Sequence, residues 1–269
     1  MSALRRDFLP SELRREMDAA AIDVCVAVQA RQTLDETRWL LELADAHSFI
    51  AGVIGWVDLQ AADAADQLEQ FANRTKLIGV RHVVQGEPDD RFMLRPAFCR
   101  GISLLEDRDL TYDLLIYPKH LPTAIELVSR FPRQRFVLDH LAKPNIRAGE
   151  IREWEHGIRE LAKSPLVFCK LSGLVTEADW KYWTAADIEP FLDVALECFG
   201  PYRLLAGSDW PVCTVAATYA RAIGLIDDYM RDRLPVEREA VMGGNAARLW
   251  RLPDARRGSG ISLGKGELV

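Results

Sequence analysis

Short, almost uninterrupted apolar runs recur from one end of this chain to the other: Val24–Ala30, Ile50–Val57, Leu77–Val84, Tyr112–Tyr117, Arg135–His140, Leu166–Ser172 and Leu204–Ser208. A half-exposed strand alternates apolar and polar residues, whereas strands of a parallel sheet covered on both faces do not. Between the runs lie segments with helical spacing. Leu34 to Ala46 carries Leu40, Leu41 and Leu43 behind Asp35 and Glu36, and Asp63 to Ala72 is similar. Leu121 to Phe131 opens near Pro122 and stops before Pro132, and Ala185 to Phe199 ends at Gly200-Pro201. Repeated strand-then-helix units imply a parallel α/β sheet.

No linker or shift in composition interrupts the pattern before Pro253, so residues 1–252 are expected to form one domain. Residues 253–269, with Arg256-Arg257-Gly258-Ser259-Gly260, read as a flexible C-terminal tail. An open doubly wound sheet accepts seven strands. A closed (β/α)8 barrel needs one more, because closure removes the exposed edges. Residues 1–10 do not supply it, since Arg5, Arg6 and Asp7 break any apolar run. The sequence therefore reads as a barrel lacking its first strand.

A chain of 269 residues, 49% apolar and 28% charged, is an ordinary soluble composition with enough apolar material for a sizeable core. A net charge of −6 argues against a nucleic-acid partner. Arg5-Arg6 and Arg14-Arg15 have acidic neighbours and read as a solvated helix face. The five cysteines form no CxxC pair, and Cys25 and Cys169 sit inside apolar runs, as free thiols in a reducing compartment do. Met1–Pro10 has no signal-peptide core, and no apolar stretch reaches the ~18 residues of a membrane span. A cytoplasmic protein without membrane contact is expected.

Two runs place ionisable groups where a buried strand ends: Leu138-Asp139-His140-Leu141-Ala142-Lys143-Pro144 and Ala206-Gly207-Ser208-Asp209-Trp210-Pro211. Ligands and catalytic groups collect at such ends in parallel α/β proteins. His140 is a structural residue or an orienting group. Asp209 is an N-cap for the segment after it or a general base for water. Lys170, inside Leu166–Ser172, is costly to bury without a partner, so it snorkels or pairs with an anion such as Asp209 or a substrate carboxylate. Arg81 and His82 point in opposite directions, so at most one faces a barrel interior. Gln29, Arg31, Trp56 and Asp58 end two further strands and are rim residues for a polar substrate or solvated strand ends. Tyr117, Lys119 and His120 occupy a Pro-containing loop and are expected at the surface. Gly243-Gly244-Asn245 reads as a helix-entry turn. The chain has no GxGxxG after a strand, no GxxxxGK[ST], no GxSxG elbow and no HExxH.

Taken together, Ala27-Val28-Gln29-Ala30-Arg31-Gln32, Gly55-Trp56-Val57-Asp58-Leu59, Gly79-Val80-Arg81-His82, the His140 and Asp209 runs, Lys170-Leu171-Ser172-Gly173 and Gly244-Asn245-Ala246 resemble the amidohydrolase-related branch of the amidohydrolase superfamily, in its sugar-lactone lactonases. The resemblance spans about Leu4 to Leu252. It implies a (β/α)8 barrel and hydrolysis of a small lactone in carbohydrate catabolism. It matches Asp209 to the aspartate that activates water and His140 to a histidine that binds metal or orients substrate. Arg81, His82, Lys170, Trp56 and Gln29 match pocket positions. It also implies one divalent metal, such as zinc on His140 and Asp209, in part of the family, and a metal-independent mechanism in other members.

The family's first strand ends in a His-x-His pair, which this chain lacks. A late start or a truncation is the reading that follows. Two rivals to a lactonase remain: a metal-dependent decarboxylase on the same barrel, and an incomplete, inactive barrel whose edges the tail or a second copy, as in a homo-oligomer, would cover.

Overall fold

A computed structural model describes residues 4–252. Each apolar run contains a strand: β1 Cys25–Val28, β2 Ile50–Gly55, β3 Leu77–Val83, β4 Thr111–Leu115, β5 Phe136–Leu138, β6 Val167–Leu171 and β7 Leu204–Ala206. Among the described residues they form one seven-stranded sheet, parallel throughout and in sequence order. Every run overshoots its strand by one or two residues at the C-terminal end. Those residues are chemically continuous with the strand, but they turn out of the sheet and carry the site.

The helices follow in order: α1 Pro10–Ala19, α2 Leu34–Ala46, α3 Ala64–Glu69, α4 Pro96–Ser103, α5 Leu121–Arg130, α6 Arg152–Leu161, α7 Leu174–Glu177, α8 Ala185–Phe199, α9 Tyr219–Tyr229, α10 Pro235–Glu239 and α11 Asn245–Trp250. Thr33 caps α2 by accepting from Glu36 N–H, and Thr184 with Asp187 forms a capping box on α8. The core fills the space between helices and sheet, with Phe98, Tyr112, Phe136 and Trp154 among its largest buried side chains.

Side chains show how strongly the sheet curls. Adjacent strands lie ~4.8 Å apart, so side chains two strands away meet only on a concave face. Lys170 of β6 reaches Asp113 of β4 at 2.5 Å. Gln29, after β1, donates to the Arg81 carbonyl of β3 at 3.1 Å. Among the described residues β1 pairs only with β2 and β7 only with β6, leaving two strand edges. The helical layer continues past them, because α1 packs on α9 through Met17, Tyr219 and Ile223.

Two loop expectations resolve differently. Gly243-Gly244-Asn245 does lead into a helix, with Asn245 opening α11. The surface placement of His120 is wrong. Its ring is fully buried, and its Nδ1 accepts the Tyr117 N–H at 3.0 Å. Burial holds this imidazole below the ordinary histidine value, so the neutral ring serves as a loop staple. Among the described residues no helix is long and apolar enough to cross a membrane. The stretch 253–269 lies outside the described residues.

Asn245 is fully buried, and its Nδ2 donates to the carbonyls of Pro201 and Leu204, both at 2.7 Å, tying α11 to the start of β7. Asn245→Ala takes this donor from both carbonyls, the Leu204 one buried and the Pro201 one part-buried. The expected loss is about 1–3 kcal/mol, read as a lower urea midpoint at unchanged slope.

Candidate active site

Consecutive strands β5, β6 and β7 deliver His140, Ser172 and Asp209 from their C-terminal ends. His140 Nδ1 lies 2.8 Å from Ser172 Oγ, and His140 Nε2 lies 3.7 Å from Asp209 Oδ1. Asp209 Oδ2 is buried and has no hydrogen-bond partner. The carboxylate does not cap the helical turn after it. The Asp209 backbone carbonyl accepts from Cys213, while the side chain faces the histidine. The Asp209 contact is longer than a hydrogen bond, and the Ser172 hydroxyl is placed to donate to Nδ1 or to accept from it, so the serine fixes the orientation of the ring. Burial holds His140 below the ordinary histidine value, while Asp209 and Asp139 act to raise it.

The backbone that presents His140 is strained. His140, Leu141, Ala142 and Lys143 all have left-handed φ, between 51° and 59°, and Asp209 has φ 55°. For residues with a Cβ this costs on the order of 1–2 kcal/mol each. Packing and hydrogen bonds hold the turn. Leu141 and Ala142 are fully buried, Trp154 Nε1 donates to the Leu141 carbonyl at 2.6 Å, and Lys143 N–H donates to the His140 carbonyl at 2.7 Å. Strain of this kind concentrates at functional sites.

Beside this group, inside the curl of the sheet, lies a buried quartet of charges. Lys170 Nζ bridges Asp113 at 2.5 Å and Asp139 at 2.6 Å, and Arg81 Nη1 donates to Asp139 at 2.7 Å. Arg81 also donates to the Gln29 carbonyl. Both carboxylates are fully buried. Burial raises the Asp139 carboxyl, but Lys170 and Arg81 outweigh it and hold the group well below the usual carboxylate range. Burial lowers the Lys170 ammonium, and Asp113 and Asp139 outweigh that and raise it. Burial pushes Asp113 up to about 6 despite Lys170, with Asp139 adding to the rise.

Lys170 is therefore paired, as the cost of burying it requires, but with Asp113 and Asp139 rather than with Asp209. Of the adjacent Arg81 and His82, the arginine points inward. His82 lies on the helix-facing side, stacked on Phe92 with ring centroids 4.7 Å apart. Its Nδ1 accepts from Trp56 Nε1 at 3.4 Å and its Nε2 contacts Glu87 at 2.7 Å. Trp56 and His82 thus form a unit separate from the inward group of Gln29, Arg81, Asp113, Asp139 and Lys170. Gln29 is fully buried with its Oε1 unpartnered. Asp113 and Ser172 did not emerge as site residues from the sequence. A lone carboxylate in the apolar run Tyr112–Tyr117, set against a lone lysine in Leu166–Ser172, was the available signal for the first.

A catalytic zinc ordinarily takes three protein ligands. His140 and Asp209 offer two donors in one place, but among the described residues no group of three His, Cys, Asp or Glu side chains is arranged to hold a metal. The described residues do not complete a zinc site.

A carboxylate with a free oxygen, an oriented neutral imidazole and ammonium and guanidinium groups, gathered toward the C-terminal side of a parallel sheet, are the kinds of group that hydrolysis by water uses. Comparison with known proteins agrees. The amidohydrolase family profile matches residues 2–252. An L-fucono-1,5-lactonase from Burkholderia multivorans is 43% identical, over 94% of this chain and 89% of its own length. Another, from Burkholderia ambifaria, is 36% identical over 94% of this chain and 88% of its own length. A solved Burkholderia multivorans amidohydrolase with bound zinc superposes with a TM-score of 0.91 at 43% identity, covering 94% of this chain and 92% of that one. The chain belongs to the amidohydrolase family.

Gly173 has φ +64°, and a Cβ there would lie 2.8 Å from His140 Cγ and Nδ1. Gly173→Ala is expected to destabilise the fold by about 1–3 kcal/mol and to push the imidazole off Ser172, measurable as a shifted His140 ring signal in NMR. The quartet makes a separate pH prediction. Asp113's folded value of about 6 exceeds the ordinary 3.8, so the folded state binds that proton more tightly than the unfolded chain. Its contribution to stability therefore falls as pH rises through that window. Urea unfolding of wild type and Asp113→Asn across it should show the wild-type advantage shrinking with pH; a flat or growing advantage contradicts the assignment.

Proposed function

We propose that this protein hydrolyses a sugar-acid lactone, with Asp209 as the general base. The observation that carries the reading is the pairing of a buried, unpartnered Asp209 Oδ2 with an oriented His140 at the ends of β7 and β5. Asp209 takes a proton from water as the water oxygen bonds to the lactone carbonyl carbon. The carbonyl electrons move onto oxygen, and the Nε2–H of His140 and an N–H of Lys170 or Arg81 stabilise that oxyanion. As the intermediate collapses, the ring C–O bond breaks and the departing alkoxide takes the proton back from Asp209. The product is an open-chain hydroxy acid.

The names of relatives 36% and 43% identical support a lactone over the decarboxylase alternative. Gln29, with its spare buried Oε1, would accept from a sugar hydroxyl. Trp56 and His82 would shape the rim through the Trp56–His82–Glu87 contacts. Within the same reading, the described chain is one domain and its strands are seven of a (β/α)8 barrel. The packing of α1 on α9 supports that reading, since it carries the outer layer across the gap between β7 and β1.

The test is turnover of L-fucono-1,5-lactone, followed by proton release. Asp209→Asn should lower kcat by about 10²–10⁴-fold with unchanged thermal unfolding. Undiminished turnover in that variant excludes Asp209 as the base, and carbon dioxide release from an aromatic acid by the wild type would favour the decarboxylase.

A further inference from the structure

At the opposite end of the sheet, where the strands begin, lies a pocket of about 470 Å³, within the range of roughly 300–1,000 Å³ common for small-molecule sites. Its floor is apolar, formed by Phe71, Leu77, Ile78, Leu110 and the ring of Trp250. Its walls carry four arginines, Arg74, Arg108, Arg135 and Arg251, against two carboxylates, Glu69 and Asp109. Leu77 opens β3, and Leu110 and Arg135 immediately precede β4 and β5. The site at the strand C-termini therefore shares none of this lining.

The arginines differ in how far the protein satisfies them. Arg135 is structural, donating to the Asp109 carbonyl at 2.6 Å and the Leu249 carbonyl at 2.9 Å. The two Asp109 carboxylate oxygens are taken by Arg135 and Arg251. Arg74 pairs with Asp45, which is outside the lining. Arg108 Nη1 donates to the Leu104 carbonyl at 3.0 Å, while its Nη2 is met by Glu69 only at 4.0 Å, beyond hydrogen-bonding range, with its side chain one-third exposed. With Asp45 counted, four arginines face three carboxylates, one positive group in excess.

We propose that this pocket binds a phosphate monoester with an apolar body. The phosphate, with close to two negative charges at neutral pH, takes the guanidinium N–H groups of Arg108 and Arg74 that Leu104 and Asp45 leave over. The body lies on Trp250 and Leu77.

Calorimetric titration of the full-length protein with phenyl phosphate tests this. Saturable binding is expected in wild type and equally in Asp209→Asn, about tenfold weaker in Arg108→Gln and about a hundredfold weaker in Arg74→Gln/Arg108→Gln. Inorganic phosphate should bind more weakly than the ester, and benzyl alcohol should give no saturable heat. If the double glutamine variant does not fold, the double Arg→Lys variant, which keeps charge but loses the guanidinium groups, should still weaken binding. The proposal is overturned by absent binding in wild type, by unchanged affinity in whichever double variant folds, by loss of binding in Asp209→Asn, or by equal affinity for inorganic phosphate.

Discussion

Asp139 is fully buried and charged, and much of the site follows from how that charge is held. An isolated carboxylate in a protein interior is unfavourable by several kcal/mol, so it needs partners with good geometry. Lys170 and Arg81 supply them from β6 and β3, and Lys170 reaches on to Asp113 of β4. Two cations and two carboxylates cancel, and one neutral cluster ties four strands together on the concave face. Asp139 is also the first residue beyond β5. Anchoring it fixes where the sheet ends and where the left-handed turn begins, and that turn aims His140.

An apolar cluster of the same volume would hold the strands together as well or better, because buried ion pairs rarely exceed hydrophobic packing in net stability. The quartet's advantage over such a cluster is directional. It leaves Lys170 and Arg81, each only slightly exposed, with fixed N–H groups beside the cleft. The strained turn follows the same logic. Four consecutive left-handed residues would unwind in an isolated peptide, and Trp154, Leu141 and Ala142 keep them wound in the folded chain. Gly173 completes the arrangement by having no Cβ where the imidazole rests.

The strands were legible because parallel strands buried on both faces leave a composition signal that needs no knowledge of their partners. Their ends were not, since Phe136 to His140 is apolar enough to continue as strand and nothing in its composition announces the positive φ at His140. His140 and Asp209 stood out because each is a polar residue closing an apolar run. Alternation showed that Arg81 and His82 cannot both face inward, and the aromatic pair Phe92 and Phe98, from a loop and α4, claims the His82 ring. Lys170 was recognisably in need of an anion, but its partners depend on sheet curvature. Curvature brings β4 under β6, and no local pattern in either strand records it.

The neutrality of the quartet also bears on the chemistry. If Lys170 and Arg81 were unpaired, the cleft would carry surplus positive charge and would favour any anion, product carboxylate included. In the proposed reaction charge is moved rather than created: the negative charge leaves Asp209 as it takes the proton and reappears on the lactone oxygen. A site with no surplus charge can follow that movement if its N–H donors are already oriented toward the new position, with little reorganisation at the moment of reaction. The neutral His140 ring, with Nε2 toward Asp209 and Nδ1 held by Ser172, belongs to the same scheme, because an imidazolium there would hold the charge on Asp209 and oppose its transfer to water.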